Sequence, residues 1–344
     1  MNIVIDGTNV PIELLESQKY KNMEVIPVRI NSSSNKDYLT LRRGISAGFV
    51  EVTECEISTV GTVLARNNAN IPLALIDGDE ILGAKQNRIM NRSLIVPPQT
   101  TLPVSVSCTE QGRWHYGRTR DEFINRNLES EYGEYEEQHE NFDFSDEAAD
   151  FSTRRAKSQD LFEKRSCQST VWNSIADLER KTSFSSRTSA LHDNFLNHRP
   201  KLNEYLRNFR LEYGQSGAIF IINGQIKGFE LFANPSIYQD YHEKIFRSYI
   251  MEAITDYQSK YTYVIDDVRE FLREISHSEF RRSDSKGIGR HLHFANKFGY
   301  GAALLDGNNL VHINYFNNGK STIKSNRRGQ TRRYGSFRDF ADDY

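Results

Sequence analysis

The sequence predicts an α+β fold: a β-rich N-terminal half with recurring Asp/Asn-Gly hairpins, packed with a helical and hairpin-containing C-terminal half. Three observations carry this. Residues 20–118 are a series of short β-branched segments bounded by Gly, Asn and Pro, which is strand-and-turn chemistry. Residues 158–210 repeat apolar positions at helical spacing. One hairpin pattern recurs in both halves, which favours a single integrated unit over two independent domains.

The elements follow in order. Strands are expected at 24–30, 60–65, 71–76 and 102–107, with one short helix over Leu41 to Val52. Trp172, Ile175, Ala176 and Leu178 have helical spacing, as do Leu191, Phe195, Leu202, Leu206 and Phe209, with Pro200 as the expected break. A strand pair at 217–232 precedes helices at about 236–257 and 264–275, and the last strands lie at 299–316. The apolar runs 71–76, 217–222 and 301–305 lead into Asp77-Gly78, Asn223-Gly224 and Asp306-Gly307. Such dipeptides between apolar runs are hairpin signals, because both turn residues accept positive φ. An internal duplication is one account of the pattern; repeated use of one hairpin design is the simpler one.

The boundaries are 1–125 for the β-rich half, 126–157 for an acidic insertion or disordered loop, 158–319 for the α+β half, and 320–344 for a basic tail. Ten of the 22 residues from 129 to 150 are Asp or Glu and none is Lys or Arg, so the run repels itself and is expected to be solvated. The tail places Lys320, Lys324, Arg327, Arg328, Arg332, Arg333 and Arg338 before Asp339. It could grip nucleic-acid phosphates, or fold against 129–150 of this or another copy.

The chain has 344 residues, 38% of them hydrophobic, with 20 Phe and 17 Tyr, enough to fill a sizeable core. A net charge of −2 argues against a generic nucleic-acid binder. Cys55, Cys108 and Cys167 are far apart and odd in number, so neither a disulfide framework nor a zinc spacing is present. That pattern fits a reducing cytoplasm. No signal peptide is expected at the N-terminus, and no run approaches the roughly 20 apolar residues of a membrane helix.

Two polar blocks fit no simple periodicity. In Asp77-Gly78-Asp79-Glu80 through Lys85-Gln86-Asn87-Arg88, a strand would carry cations and amides on both faces. Cys108-Thr109-Glu110-Gln111-Gly112-Arg113-Trp114 again sets an acid, an amide and a guanidinium beside an aromatic. Lys85, Arg88 and Arg113 would hold an anion, with Glu80 and Glu110 as acid/base residues. Gln86, Asn87 and Gln111 would orient hydroxyls, and Trp114 would stack on a base. Ion pairing around two turns is the plainer alternative.

These blocks, with Gln168…Val171-Trp172, Gly217-Ala218…Asn223-Gly224…Gly228…Phe232, Lys244…Ser248-Tyr249 and Gly301…Ala303-Leu304…His312…Phe316, resemble the domain family associated with ADP-ribosylglycohydrolases and rhodanese-phosphatases. The resemblance covers about 24–318 apart from the acidic insertion. It implies recognition or processing of an ADP-ribose-like or NAD-derived nucleotide in a bacterial conflict or anti-phage defence system. It supplies no catalytic residue. The acidic insertion and the basic tail depart from the family pattern.

Other motifs are weaker. His291-Leu292-His293 with His312 could bind zinc, but no carboxylate ligand is evident, so no metal or cofactor is expected. Lys286-Gly287-Ile288-Gly289-Arg290 is a glycine turn flanked by cations that lacks the P-loop and Rossmann patterns. Lys244 and Ser248 share a helix face, as a lysine-activated hydroxyl or as a surface pair. Cys108 reads as a small buried residue before it reads as a nucleophile. If the chain is an enzyme, hydrolysis or transfer at a phosphate or glycosidic bond is expected. The alternatives are a non-enzymatic module assembling through 129–150 and 320–338, and nucleic-acid binding through the tail.

Overall fold

A computed structural model describes residues 1–31, 36–114, 141–261, 268–283 and 286–319. The chain opens with a hairpin: β1 (Asn2–Ile5) and β2 (Thr8–Leu14) are joined by Asp6-Gly7, both at positive φ. β3 (Gln18–Tyr20) and β4 (Met23–Ile30) pair next. β5 (Leu39–Thr40) runs into α1 (Leu41–Ser46), where Thr40 Oγ1 accepts from the Arg43 N–H and caps the helix. The helix expected to reach Val52 stops at Ser46. Val50 and Val52 are buried while Glu51 is exposed, and this period-two pattern begins β6 (Val50–Thr59).

β7 (Thr62–Asn67), β8 (Leu73–Leu75), β9 (Asp79–Gly83), β10 (Arg88–Met90), β11 (Leu94–Val96) and β12 (Thr100–Cys108) follow. The loop expected over 126–157 differs from residue 142 onward. Phe142–Ala148 is strand β13, with Phe142 and Phe144 in the core, and Phe151–Phe162 is helix α2, capped by Asp150. Two buried aromatics at alternate positions outweigh the local acidity. Residues 126–140 and the tail 320–344 lie outside the described residues.

α3 (Gln168–Thr182) and α4 (Leu191–Leu206) complete the helical stretch. Pro200 does not break α4. It removes one backbone hydrogen bond at an exposed position, and burial of Phe195, Leu202 and Tyr205 in the same helix offsets that. Then come β14 (Gly217–Ile222), β15 (Gln225–Phe232), α5 (Pro235–Thr255), α6 (Val268–Ser276), β16 (Glu279–Ser283), β17 (Arg290–Asn296), β18 (Gly299–Asp306) and β19 (Asn309–Asn317).

The large sheet has the order β1-β2-β4-β14-β15-β19-β18-β17-β16, with β3 beside β4. β4, from the N-terminal half, pairs with β14, so both halves share one sheet. Alternation splits β14 between two cores: Ala218, Phe220 and Ile222 pack with Phe246 and Tyr249 of α5, and Ile219 packs with Leu231 and with Phe271 of α6. A six-stranded sheet, β13-β9-β10-β12-β7-β6, and a three-stranded one, β11-β8-β5, enclose a third core. Among the described residues no helix is long and apolar enough to cross a membrane.

Asn223-Gly224 joins β14 to β15, and β18 turns into β19 at Asp306-Gly307; both are hairpins. Asp77-Gly78 is not. β8 pairs with β11 and β5, whereas β9 pairs with β10 and β13, so this turn carries the chain from one sheet into another. Gly78 sits at φ 82°, and a Cβ there would lie 2.8 Å from Arg154 Nε. Close passage of a buried arginine, rather than hairpin geometry, is what this glycine permits.

Candidate functional site

The two polar blocks meet in space. Arg113 is buried and donates to Glu110 Oε2 at 2.8 Å, to Ala84 O at 2.7 Å and to Asn87 Oδ1 at 3.2 Å. Gln86 Nε2 donates to Glu110 O at 2.8 Å, and Thr188 Oγ1 donates to Glu110 Oε1 at 2.9 Å. The guanidinium therefore holds the Gly83-Ala84 turn, where Ala84 adopts a φ of 41°. Arg88 Nη2 donates to both Glu54 carboxylate oxygens, at 3.0 and 3.2 Å, and Nη1 donates to Cys108 Sγ at 3.1 Å. Gln86, Asn87, Arg88, Glu110 and Arg113 are thus engaged with one another or with neighbouring chain. Gln111 is exposed. Trp114 is 48% exposed, and the Lys85 ammonium lies 5.7 Å from its ring centroid. Burial pushes the Cys108 thiol up to about 11, so it stays protonated.

Glu80 belongs to a different constellation. The turn Asp77-Gly78-Asp79-Glu80 sends its three carboxylates in different directions. Asp77 pairs with Arg154 and Lys157 of α2. Asp79 accepts from Lys244 and from Tyr241 OH at 2.7 Å, both on α5. Glu80 Oε2 lies 2.8 Å from His192 Nδ1 of α4 and accepts from Ser145 Oγ at 2.8 Å.

Ser145 reaches Glu80 because β13 bulges. Phe144 pairs with Ile81 and Ala148 with Asp79, so extra residues sit between those two pairs on the β13 side. A bulge re-aims side chains, and here Ser145 and Glu147 both become buried polar residues beside Glu80 and His192. The Glu147 N–H donates to Ser145 Oγ at 3.0 Å.

A cavity of about 110 Å³ opens beside this cluster, lined by Thr40, Arg42, Asp146, Glu147, Arg199, Asp240, Tyr241, Glu243, Lys244 and Arg247. His192 and Arg199 are seven residues apart on α4 and share a face. Asp240, Lys244 and Arg247 share a face of α5 by the same rule. Burial raises the Glu147 carboxyl to about 7, with Arg247 and His192 holding it back. Burial disfavours the His192 imidazolium, but Glu80, Glu147 and Asp193 together outweigh it and raise that group. Glu147 Oε2 and Glu80 Oε1 are buried without a hydrogen-bond partner. The arrangement can move a proton near neutral pH, and its lining sets the cations Arg42, Arg199, Lys244 and Arg247 among the carboxylates Asp146, Glu147, Asp240 and Glu243.

The other motifs are absorbed by the fold. Ser248 Oγ donates to Ala149 O while Lys244 pairs with Asp79, so they form no lysine-activated hydroxyl, and both are buried rather than on the surface. The Ile288 N–H donates to Ile95 O at 3.0 Å, and a Cβ at Gly287 would lie 2.2 Å from that oxygen, so the glycine turn serves strand packing. His312 bridges Ser93 Oγ at 2.9 Å and Glu230 Oε2 at 3.2 Å. Among the described residues no three of His, Cys, Asp and Glu are grouped to hold a metal ion.

Sequence reasoning placed Glu80 in this region but missed Glu147, His192 and Arg199. The legible signals were the alternation of Phe142 and Phe144, and the shared face of His192 and Arg199.

Among curated proteins and among solved structures nothing matches the chain. One family model matches residues 11–316, from within β2 to within β19. The chain belongs to the ARG and Rhodanese-Phosphatase-superfamily-associated Protein domain family, ARPP-1.

Proposed function

We propose that the cavity takes the anionic end of an ADP-ribose-like or NAD-derived nucleotide, and that Glu147 with the Glu80–His192 pair processes it, in a bacterial conflict or anti-phage defence setting. One arrangement carries this reading: Glu147, whose carboxyl burial raises to about 7, lines a cavity with Arg42, Arg199, Lys244 and Arg247, and the buried Glu80–His192 pair lies behind it. Those cations meet the phosphates. Protonated Glu147 donates to the leaving atom, and the Glu80–His192 pair takes a proton from attacking water. A cavity of about 110 Å³ is smaller than the roughly 300–1,000 Å³ that engulfs a drug-sized ligand. It therefore suits one phosphoryl or ribosyl group, with the rest of the nucleotide outside. Glu80 keeps its expected acid/base role and Glu147 takes the one expected of Glu110. Gln86, Asn87, Arg88 and Arg113 support the strands instead of contacting ligand, and Lys85, Gln111 and Trp114 lie outside the cavity lining.

Thermal melting against NAD, ADP-ribose, cyclic ADP-ribose isomers, ATP and mononucleotides, with mass spectrometry of each mixture, tests this. A ligand at about 100 times its dissociation constant stabilises the native state by roughly 2.7 kcal/mol. The expected result is stabilisation by one of these nucleotides and turnover that Glu147→Gln abolishes while retaining binding. No stabilisation by any of them overturns the reading and moves the function to assembly through charged arms, the acidic one confined to residues before β13 because 142–150 is built into the core.

A further inference from the structure

A second cluster of buried polar groups shares no residue with the cavity. β17 carries His291 and His293 on one face, their ring centroids 4.6 Å apart. They are 1% and 3% exposed. Arg92, in the turn between β10 and β11, donates from Nη1 to Ser283 Oγ at 3.1 Å. Ser283 Oγ lies 3.3 Å from His291 Nδ1.

The proton positions follow from this chain. Ser283 Oγ accepts from Arg92, and the assignment that uses its hydroxyl proton sends that proton to His291 Nδ1. His291 then carries its own hydrogen on Nε2, which has no partner. Arg92 Nε is also buried without a partner, as are both ring nitrogens of His293. Burial, with help from neighbouring positive charge, keeps both imidazoles neutral: His291 is pushed well below its ordinary value and His293 down to about 4. Each neutral ring offers one N–H donor.

Buried polar groups are rarely left unpaired, and a half-buried guanidinium ordinarily finds a carboxylate. Arg92 has no ion pair among the described residues. The nearby carboxylate that acts on His293 is Asp77, and it is already paired with Arg154 and Lys157. One N–H from each of Arg92, His291 and His293, with a permanent charge, therefore has no protein acceptor, which is a donor set for an oxyanion, while the second ring nitrogen of His293 accepts and suits an ion that keeps a proton, such as hydrogen phosphate.

We propose that Arg92, His291 and His293 bind a small tetrahedral oxyanion of the phosphate or sulfate class, separately from the cavity. The near-complete burial of both imidazoles favours the free ion over a phosphoryl group on a larger molecule.

The test is titration of the full chain with sodium phosphate against sodium chloride at matched ionic strength and pH 7, read by calorimetry and thermal melting. Wild type should bind phosphate saturably. Arg92→Gln, at a half-buried position, should weaken it about tenfold or more, and His293→Phe should do the same. Arg199→Ala, in the cavity, should remove at most a separate phase of phosphate binding and leave the Arg92-dependent phase unchanged. Absence of saturable binding in wild type overturns the proposal and leaves the donors to water. Loss of binding in Arg199→Ala with retention in Arg92→Gln also overturns it, because the phosphate then sits in the cavity.

Discussion

Replacing Arg113 with methionine should destabilise the protein by about 3–5 kcal/mol, the range for breaking a buried ion pair by removing one partner. The structure supports the upper part of that range. The Glu110 carboxylate is 1% exposed and would keep only Thr188 Oγ1 at 2.9 Å and the Asn87 N–H at 3.4 Å. The carbonyls of Gly83 and Ala84 would lose a charged donor at 3.3 and 2.7 Å. Domains are stable by about 5–15 kcal/mol in all, so the loss should be conspicuous. Urea unfolding followed by far-ultraviolet circular dichroism at pH 7 measures it. The companion variant is Arg113→Met with Glu110→Gln, which removes the orphaned charge as well. The double variant should lose less than the sum of the singles, with a coupling of about 0.5–3 kcal/mol. A single-variant loss under about 1 kcal/mol, or strict additivity, would refute the assignment of Arg113 as the organiser of the Gly83-Ala84 turn.

Glu147 carries a pH signature. Its folded pKa of about 7 lies above the ordinary value of 4.5, so the folded state holds the extra proton. Its stability contribution is full below about pH 4.5 and is lost as pH rises through 7. Glu147→Gln should therefore gain stability relative to wild type between pH 5 and 8, by up to about 3 kcal/mol; a pH-independent difference in urea midpoints would contradict this. Gly78→Ala should lose about 2 kcal/mol or more by the same unfolding assay, because it combines a positive φ with displacement of Arg154 from Asp77 and Glu230. Under native conditions iodoacetamide should modify Cys55 first and spare Cys108 and Cys167, whose buried thiols are both raised to about 11. Peptide mass spectrometry distinguishes them, and rapid native labelling of Cys108 would go against its burial.

The architecture was legible where local chemistry decides it. The α+β class, the helix now seen at Pro235–Thr255 and the turns at Asn223-Gly224 and Asp306-Gly307 all follow from periodicity or turn chemistry. Asp6-Gly7 carries the same signal and joins β1 to β2. The turn at Asp77-Gly78 misled because its dipeptide is shared by hairpins and by sheet-to-sheet crossings, and only a distant arginine tells them apart. The candidate site was half legible. Glu80 stood out by its setting, but its partners lie 65 and 112 residues away, and Lys244 lies 165 residues from Asp79. No local pattern encodes pairs at such separations. Glu147 was hidden in a run whose acidity comes mostly from residues before 141.

The three-way divergence of Asp77, Asp79 and Glu80 has a consequence for synthesis. Asn314 donates to Asp77 from 237 residues downstream. At about 5–20 residues per second on a ribosome, that partner arrives roughly 10–50 s after the turn itself. Until α2, α4, α5 and β19 have been made, the turn cannot be buried without stranding its negative charges. The nascent N-terminal half must therefore wait, solvated or chaperoned, and a ribosome stalled before β19 would release a chain unable to close its central sheet.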